Sequence, residues 1–100
     1  MAVIGLAVLL PSAEGRDAVI KALRDAVPKF HAEVGCELYA LHESGDELVI
    51  IEKFSDMASL DLHANGEPLK AMRRAMKGLV EVKRSEVLNP LPMGGDAGLL

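Results

Sequence analysis

From Ala2 to Leu10 the chain is almost continuously apolar and rich in Val, Ile and Leu, and Pro11 and Ser12 end the run. An apolar run of that length with those boundaries predicts a buried strand. Ser12 is placed to cap the segment that follows, although Gly15 stands where a capping-box glutamate would be. Val19, Leu23, Val27, Phe30 and Val34 then recur at spacings of four and three, the signature of one face of an amphipathic helix. Pro28 is expected to kink that helix or split off its last turn, and Gly35 to end it. Cys36–Ser44 and Glu47–Ser55 read as two strands joined through Gly45-Asp46, because Gly45 can supply the positive φ a tight turn needs.

Asp56 can cap a short helix running to Asn65, which Gly66 breaks. Pro68 suits the first turn of a further helix, whose stripe is Leu69, Met72, Met76 and Leu79. Val80–Leu88 predicts a fourth strand, with Val80, Val82 and Arg84 on one face. Asn89–Leu100, with Pro90, Pro92, Gly94, Gly95 and Gly98, predicts an extended tail without a core of its own. Leu91 and Met93 are expected to lie across a partner subunit, and residues 94–100 to stay mobile.

Strand, helix, two strands, helix, strand is the ferredoxin-like βαββαβ order of an α+β domain with an antiparallel sheet. The domain is assigned to residues 1–88 and the tail to residues 89–100. Such a sheet carries helices on one face only. In the third strand Leu48, Ile50, Glu52 and Phe54 share one side and Val49, Ile51, Lys53 and Ser55 the other, so both sides are largely apolar. A second copy of the chain is the simplest cover for the free face, which predicts a homodimer. Composition agrees: 50% of the residues are hydrophobic in a chain of 100, more apolar surface than one small sheet and its helices would hide.

The net charge is −4, with acidic and basic residues interspersed and no basic stripe, which argues against nucleic acid as a partner. The single cysteine, Cys36, cannot form an internal disulfide and fits a reducing cytoplasm. The apolar start lacks a basic leader region, and no run reaches the ~20 residues of a membrane helix. Neither a GxGxxG turn nor a P-loop is present. His31, Cys36, His42 and His63 lie on four different elements with no metal-ligand spacing, so a metal site is not expected.

The stretch Val34-Gly35-Cys36-Glu37-Leu38-Tyr39-Ala40-Leu41-His42 resembles the Gly-Cys-x-x-Tyr strand of the antibiotic biosynthesis monooxygenase domain family. Ile51-Glu52-Lys53-Phe54-Ser55-Asp56 resembles that family's Glu-x-aromatic-x-Asp segment, and Leu62-His63 its helix histidine. The three pieces stand in family-like order and spacing. The resemblance implies a dimeric α+β barrel in which two sheets pack face to face, with a pocket in each subunit between sheet and helices. It also implies an oxygenase that needs no cofactor, acting with O2 on a small electron-rich aromatic such as a quinol or a polyketide-derived phenol. Deprotonated, such a substrate can itself pass an electron to O2, so the site has to remove a proton, hold the anion and exclude water. Haem-degrading relatives depend on a tryptophan, and this chain has none.

His63 is the first candidate for a general base or substrate-orienting group, since its imidazole titrates in the useful range. The alternative is a helix-terminal histidine bonded to a backbone carbonyl. Glu52, on a face otherwise made of Leu48, Ile50 and Phe54, is the most anomalous residue, because a buried carboxylate is costly without a partner. It either anchors His63, Lys53 of the partner subunit or a substrate hydroxyl, or forms a structural ion pair at the dimer interface with Arg73 or Arg84. Tyr39, His42, Phe54, Asn65, Met72 and Arg73 are the candidate substrate-binding residues. Strand alternation sends Tyr39 and His42 to opposite faces, so only one of them is expected to see the pocket. The expected function is a cofactor-independent monooxygenase. An isomerase using His63 as proton shuttle, or a non-catalytic dimeric module binding a hydrophobic metabolite, are the alternatives.

Overall fold

The computed structural model describes residues 1–100. In chain order the elements are β1 (Val3–Pro11), α1 (Arg16–His31), β2 (Cys36–Ser44), β3 (Glu47–Phe54), α2 (Met57–Ala64), α3 (Glu67–Met76) and β4 (Val80–Leu88). The strands form one sheet in the order β2-β3-β1-β4, and every neighbouring pair is antiparallel. This is the ferredoxin-like α+β arrangement the sequence predicts.

The apolar stripes meet on one face of the sheet. Leu9, Val19, Leu23, Phe30, Tyr39, Leu48, Ile50, Leu69, Met72 and Met76 are all buried in one cluster, and Val3, Phe54 and Leu60 form a second, smaller one beside it. Val19, Phe30 and Phe54 are wholly removed from solvent, each worth about 1.5–3 kcal/mol of transfer free energy. The stripe on α1 ends at Phe30. Val34 lies beyond the helix in the following loop and is 75% exposed, so it is not the fifth core position that its spacing suggests. Pro28 does not split off the last turn either. The helix continues through it to His31, because only the Arg24 carbonyl loses its partner, and both residues lie at the exposed surface where water replaces the bond.

Two glycines act through backbone conformation. Gly45 has φ +59° and closes the β2–β3 hairpin through Gly45-Asp46. Gly35 has φ +77°, and a Cβ there would overlap the side chain of Ser59 on α2. Its carbonyl accepts from the Ser55 amide at 2.8 Å, so the loop after α1 lies directly on the start of α2. Asp56 caps α2 as expected, accepting from the Ser59 amide at 2.8 Å. Pro68 sits in the first turn of α3.

The strand β4 departs from simple alternation. Val8 pairs with Arg84 and Leu9 with Val82, so Lys83 is bulged out of the ladder. The bulge leaves Val80, Val82, Ser85 and Val87 on the helix side and turns Arg84 to the open face. Arg84 therefore does not share a face with Val80 and Val82 as the alternation implies. Leu6, Val8, Leu38, Ala40, Val49 and Ile51 make up the middle of that open face, and all six remain only partly buried. Within residues 89–100 the expected extended tail contains a single 3-10 turn, Gly95–Gly98. The chain end returns to its own domain, where Lys53 Nζ donates to the Leu100 carbonyl at 2.7 Å. No helix is long and apolar enough to cross a membrane.

Candidate active site

Asp56 fixes the start of α2, and His63 lies seven residues on, two turns along the same face as Ser59 and Leu60. That placement drives the imidazole into the domain, where it is only 3% exposed. It stands among the rings of Phe30, Phe54 and Tyr39, with centroids 4.8, 5.0 and 5.7 Å away. Three aromatic neighbours leave the ring little rotational freedom, so its two nitrogens point in fixed directions.

Each nitrogen faces a carboxylate. His63 Nδ1 lies 2.6 Å from Glu33 Oε1, and His63 Nε2 lies 3.6 Å from Glu52 Oε2. A carboxylate can only accept, so Nδ1 carries a proton and donates it to Glu33, which fixes the tautomer. Nε2 is then the nitrogen free to take a proton. Its separation from Glu52 exceeds hydrogen-bond length. The backbone-carbonyl partner that a helix-end histidine could have had is thus replaced by two acids.

Glu33 lies in the loop after α1, and Glu52 lies in the middle of β3, where the backbones on both sides make room for it. Its cross-strand partners are Gly5 on β1 and Tyr39 on β2. The Glu52 side chain lies directly over Gly5, whose missing Cβ would come within 2.5 Å of Glu52 Cγ. Burial raises the Glu52 carboxyl above the usual range, His63 opposes that rise, and Glu33 adds to it. Arg84 is no partner for Glu52, since its guanidinium holds Glu86 instead at 2.9 Å. Burial also raises the phenol of Tyr39, helped by the charges of Glu52 and Glu33, so Tyr39 stays a neutral hydroxyl donor. The same desolvation raises the Cys36 thiol, which argues against a nucleophile there.

A cavity of about 340 Å³ opens beside this cluster, between the helix side of β1 and β4 and the helices α2 and α3. Glu52, His63, Tyr39, Met72 and Arg73 line it, which brings together five of the eight residues singled out in the sequence. The other three lie elsewhere. Phe54 is fully buried behind His63 and supports its ring. Asn65 is exposed and spends its side-chain amide on the Asp61 carbonyl at 2.8 Å. His42 lies on the exposed end of β2, outside this cavity, its Nδ1 3.4 Å from the Val49 carbonyl. Alternation had allowed only one of Tyr39 and His42 a place, and the place is Tyr39's.

Met57 and Met76 add to the apolar wall, and Ser85 and Val87 of β4 close the far side. Sequence reasoning missed Glu33, which sits 30 residues before His63 in the short loop between α1 and β2, with no local motif to mark it. It also missed the β4 wall, which depends on the bulge at Lys83. No group of three or more histidine, cysteine or acidic side chains is arranged to hold a metal ion.

The chain is thus a small ferredoxin-like α+β protein with an acid-flanked histidine beside a largely apolar cavity. Comparison with known proteins places the chain more narrowly. The family model for antibiotic biosynthesis monooxygenase matches residues 3–75, and the chain belongs to that family. Rv0793 from Mycobacterium tuberculosis is 30% identical, with 93% of this chain and 98% of that one aligned and a TM-score of 0.84. The fold is shared by PA3566 from Pseudomonas aeruginosa, at 23% identity, coverage of 93% and 95%, and a TM-score of 0.76. It is shared as well by a structure named antibiotic biosynthesis monooxygenase, at 22% identity, coverage of 90% and 99%, and a TM-score of 0.79. None of the curated proteins matches the sequence.

Proposed function

We propose that the protein is a homodimeric monooxygenase that oxidises a small electron-rich aromatic, quinol-like or polyketide-like, with O2 and without a cofactor. The observation that carries this reading is the buried His63, its Nδ1 tied to Glu33 and its Nε2 left free beside Glu52 at a methionine-lined cavity. Family membership supports the monooxygenase class.

In this reading His63 Nε2 takes the proton of a phenol-type hydroxyl as the general base. The imidazolium so formed lies between Glu33 and Glu52, whose charges stabilise it. The neutral Tyr39 hydroxyl and the Arg73 guanidinium face the resulting oxyanion from the cavity wall. The anion gives one electron to O2, the two radicals combine at an activated ring carbon that bears one hydrogen, and the peroxide so formed takes the proton back from His63 Nε2. Loss of water from that carbon-bound hydroperoxide leaves a carbonyl. One oxygen atom of O2 ends in the product and the other in water, and the substrate supplies all the electrons. The apolar wall of Met57, Met72 and Met76 suits a flat aromatic.

The test is O2 consumption with an anthrone and with naphthohydroquinones, using labelled O2 and an anaerobic control. Label in one product carbonyl, dependent on His63, supports the reading. Turnover that persists without O2 would instead identify proton-shuttle isomerisation, for which the same pairing of His63 with Glu52 would serve. Tight binding without turnover would identify a ligand-binding module. The homodimer rests on the open sheet face, where Leu6, Val8, Val49 and Ile51 stay partly exposed in a single chain.

A further inference from the structure

A cavity larger than the one at His63 lies on the other side of Tyr39. It is a groove of about 500 Å³ between α1 and β2, the strand at the sheet's edge. Ile20, Leu23, Val27, Leu41 and Leu48 give it an apolar lining. Its volume falls within the ~300–1,000 Å³ of small-molecule sites.

Two cross-links hold α1 and β2 together around this groove. At one end Arg16 reaches the Glu43 carboxylate at 2.6 Å and the Asp46 carbonyl at 3.1 Å. At the other, His31 Nε2 donates to the Tyr39 carbonyl at 3.0 Å. Between them stands Arg24, two turns beyond Arg16, or about 12 Å along the helix. Arg24 lines the groove, and unlike Arg16, Arg74 and Arg84 it has no carboxylate partner. Glu43 is the one acid in the lining, and Arg16 already neutralises it. The groove therefore combines apolar side chains with a single unpaired guanidinium, beside His31 and His42, which each direct one ring nitrogen at a backbone carbonyl.

We infer that this groove is a second ligand site, separate from the cavity at His63, for a small amphipathic carboxylate. Its apolar body would lie along Leu23, Val27 and Leu41 and its carboxylate would meet Arg24. A guanidinium presents parallel N–H donors that match a carboxylate, whereas a neutral ligand of the same shape leaves it unused. The inference does not depend on the reaction proposed above, since none of its charged groups belongs to the His63 cluster.

The test is a titration of the full chain with octanoate, followed through methyl resonances by NMR, with octanol as the uncharged control. Saturable shifts are expected at Leu23, Val27 and Leu41. Arg24→Gln, at an exposed position, should weaken octanoate on the order of tenfold or more, the loss of one charge-assisted hydrogen bond. Arg24→Lys should restore part of it, and octanol should bind the parent and Arg24→Gln alike. Octanoate shifts centred on Leu60 and Met72, a failure to saturate, or equal octanoate affinity for the parent and Arg24→Gln would each overturn the inference.

Discussion

Gly5→Ala adds one methyl group at the point where β1 passes beneath Glu52. The new Cβ would stand 2.5 Å from Glu52 Cγ and 2.7 Å from Cδ, with Oε1 in overlap as well. Carbon atoms pack best at about 3.5–4.0 Å, so the shortfall is about 1 Å. It falls at Cγ as well as at the flexible end, and Glu52 has to leave its present rotamer and withdraw from His63. Overpacking of this kind costs about 1–3 kcal/mol. Against it stands a gain of about 0.4–1 kcal/mol, because alanine restricts the unfolded chain more than glycine does. The net expectation for the parent runs from no change to a loss of about 2.5 kcal/mol. Glu52→Ala removes Cγ, Cδ and the carboxylate, so in that background Gly5→Ala should keep only the gain. Urea unfolding of the four proteins at one protein concentration measures the difference, a coupling of about 1–3 kcal/mol. Equal effects of Gly5→Ala in both backgrounds, within about 0.5 kcal/mol, would refute the argument that Gly5 exists to seat Glu52.

The Glu52 carboxyl is raised by burial, so the stability it contributes is complete below the unfolded value of ~4.3 and is lost as pH rises through the folded one. Glu52→Gln should therefore gain on the parent in urea midpoints as the pH rises above about 4, and a pH-independent difference would contradict this. Glu33→Ala leaves His63 Nδ1 buried without a partner and should cost about 1–3 kcal/mol, read by the same unfolding assay. An unchanged midpoint would show that the 2.6 Å contact contributes nothing. Ile51→Arg puts a charge on the open sheet face and should yield a folded monomer in sedimentation, whereas an intact dimer would move the interface elsewhere.

Local patterns carried most of the fold, because each depended on residues close together in sequence. The apolar run of β1, the Asp56 cap, the Gly45 turn and the first-turn Pro68 all announce themselves within a few positions. Val34 misled because periodicity does not say where a helix stops, and Pro28 because a proline at an exposed position costs a helix one bond that water can replace. At the site, Glu52 stood out as a charge on an apolar face, and the family-like motif pointed to His63. Glu33 carried no such mark, since its role exists only once the loop at Gly35 is laid on α2. Asn65 is near His63 in sequence, but its amide donates to the Asp61 carbonyl and it lies outside the cavity. The wall from β4 needed the bulge at Lys83, which depends on pairing of Val8 with Arg84 and Leu9 with Val82, strands far apart in the sequence.

His63→Gln tests the account most directly. Because the ring is 3% exposed, glutamine is the replacement of choice: it can still donate to Glu33 but cannot accept a proton as a base. With an anthrone as substrate, and with sedimentation and near-ultraviolet spectrum matching the parent, O2 uptake should fall by about 10²–10⁴-fold, the usual loss on removing a general base. Uptake by folded His63→Gln at the parental rate would contradict the account, for the proton would then leave by another route.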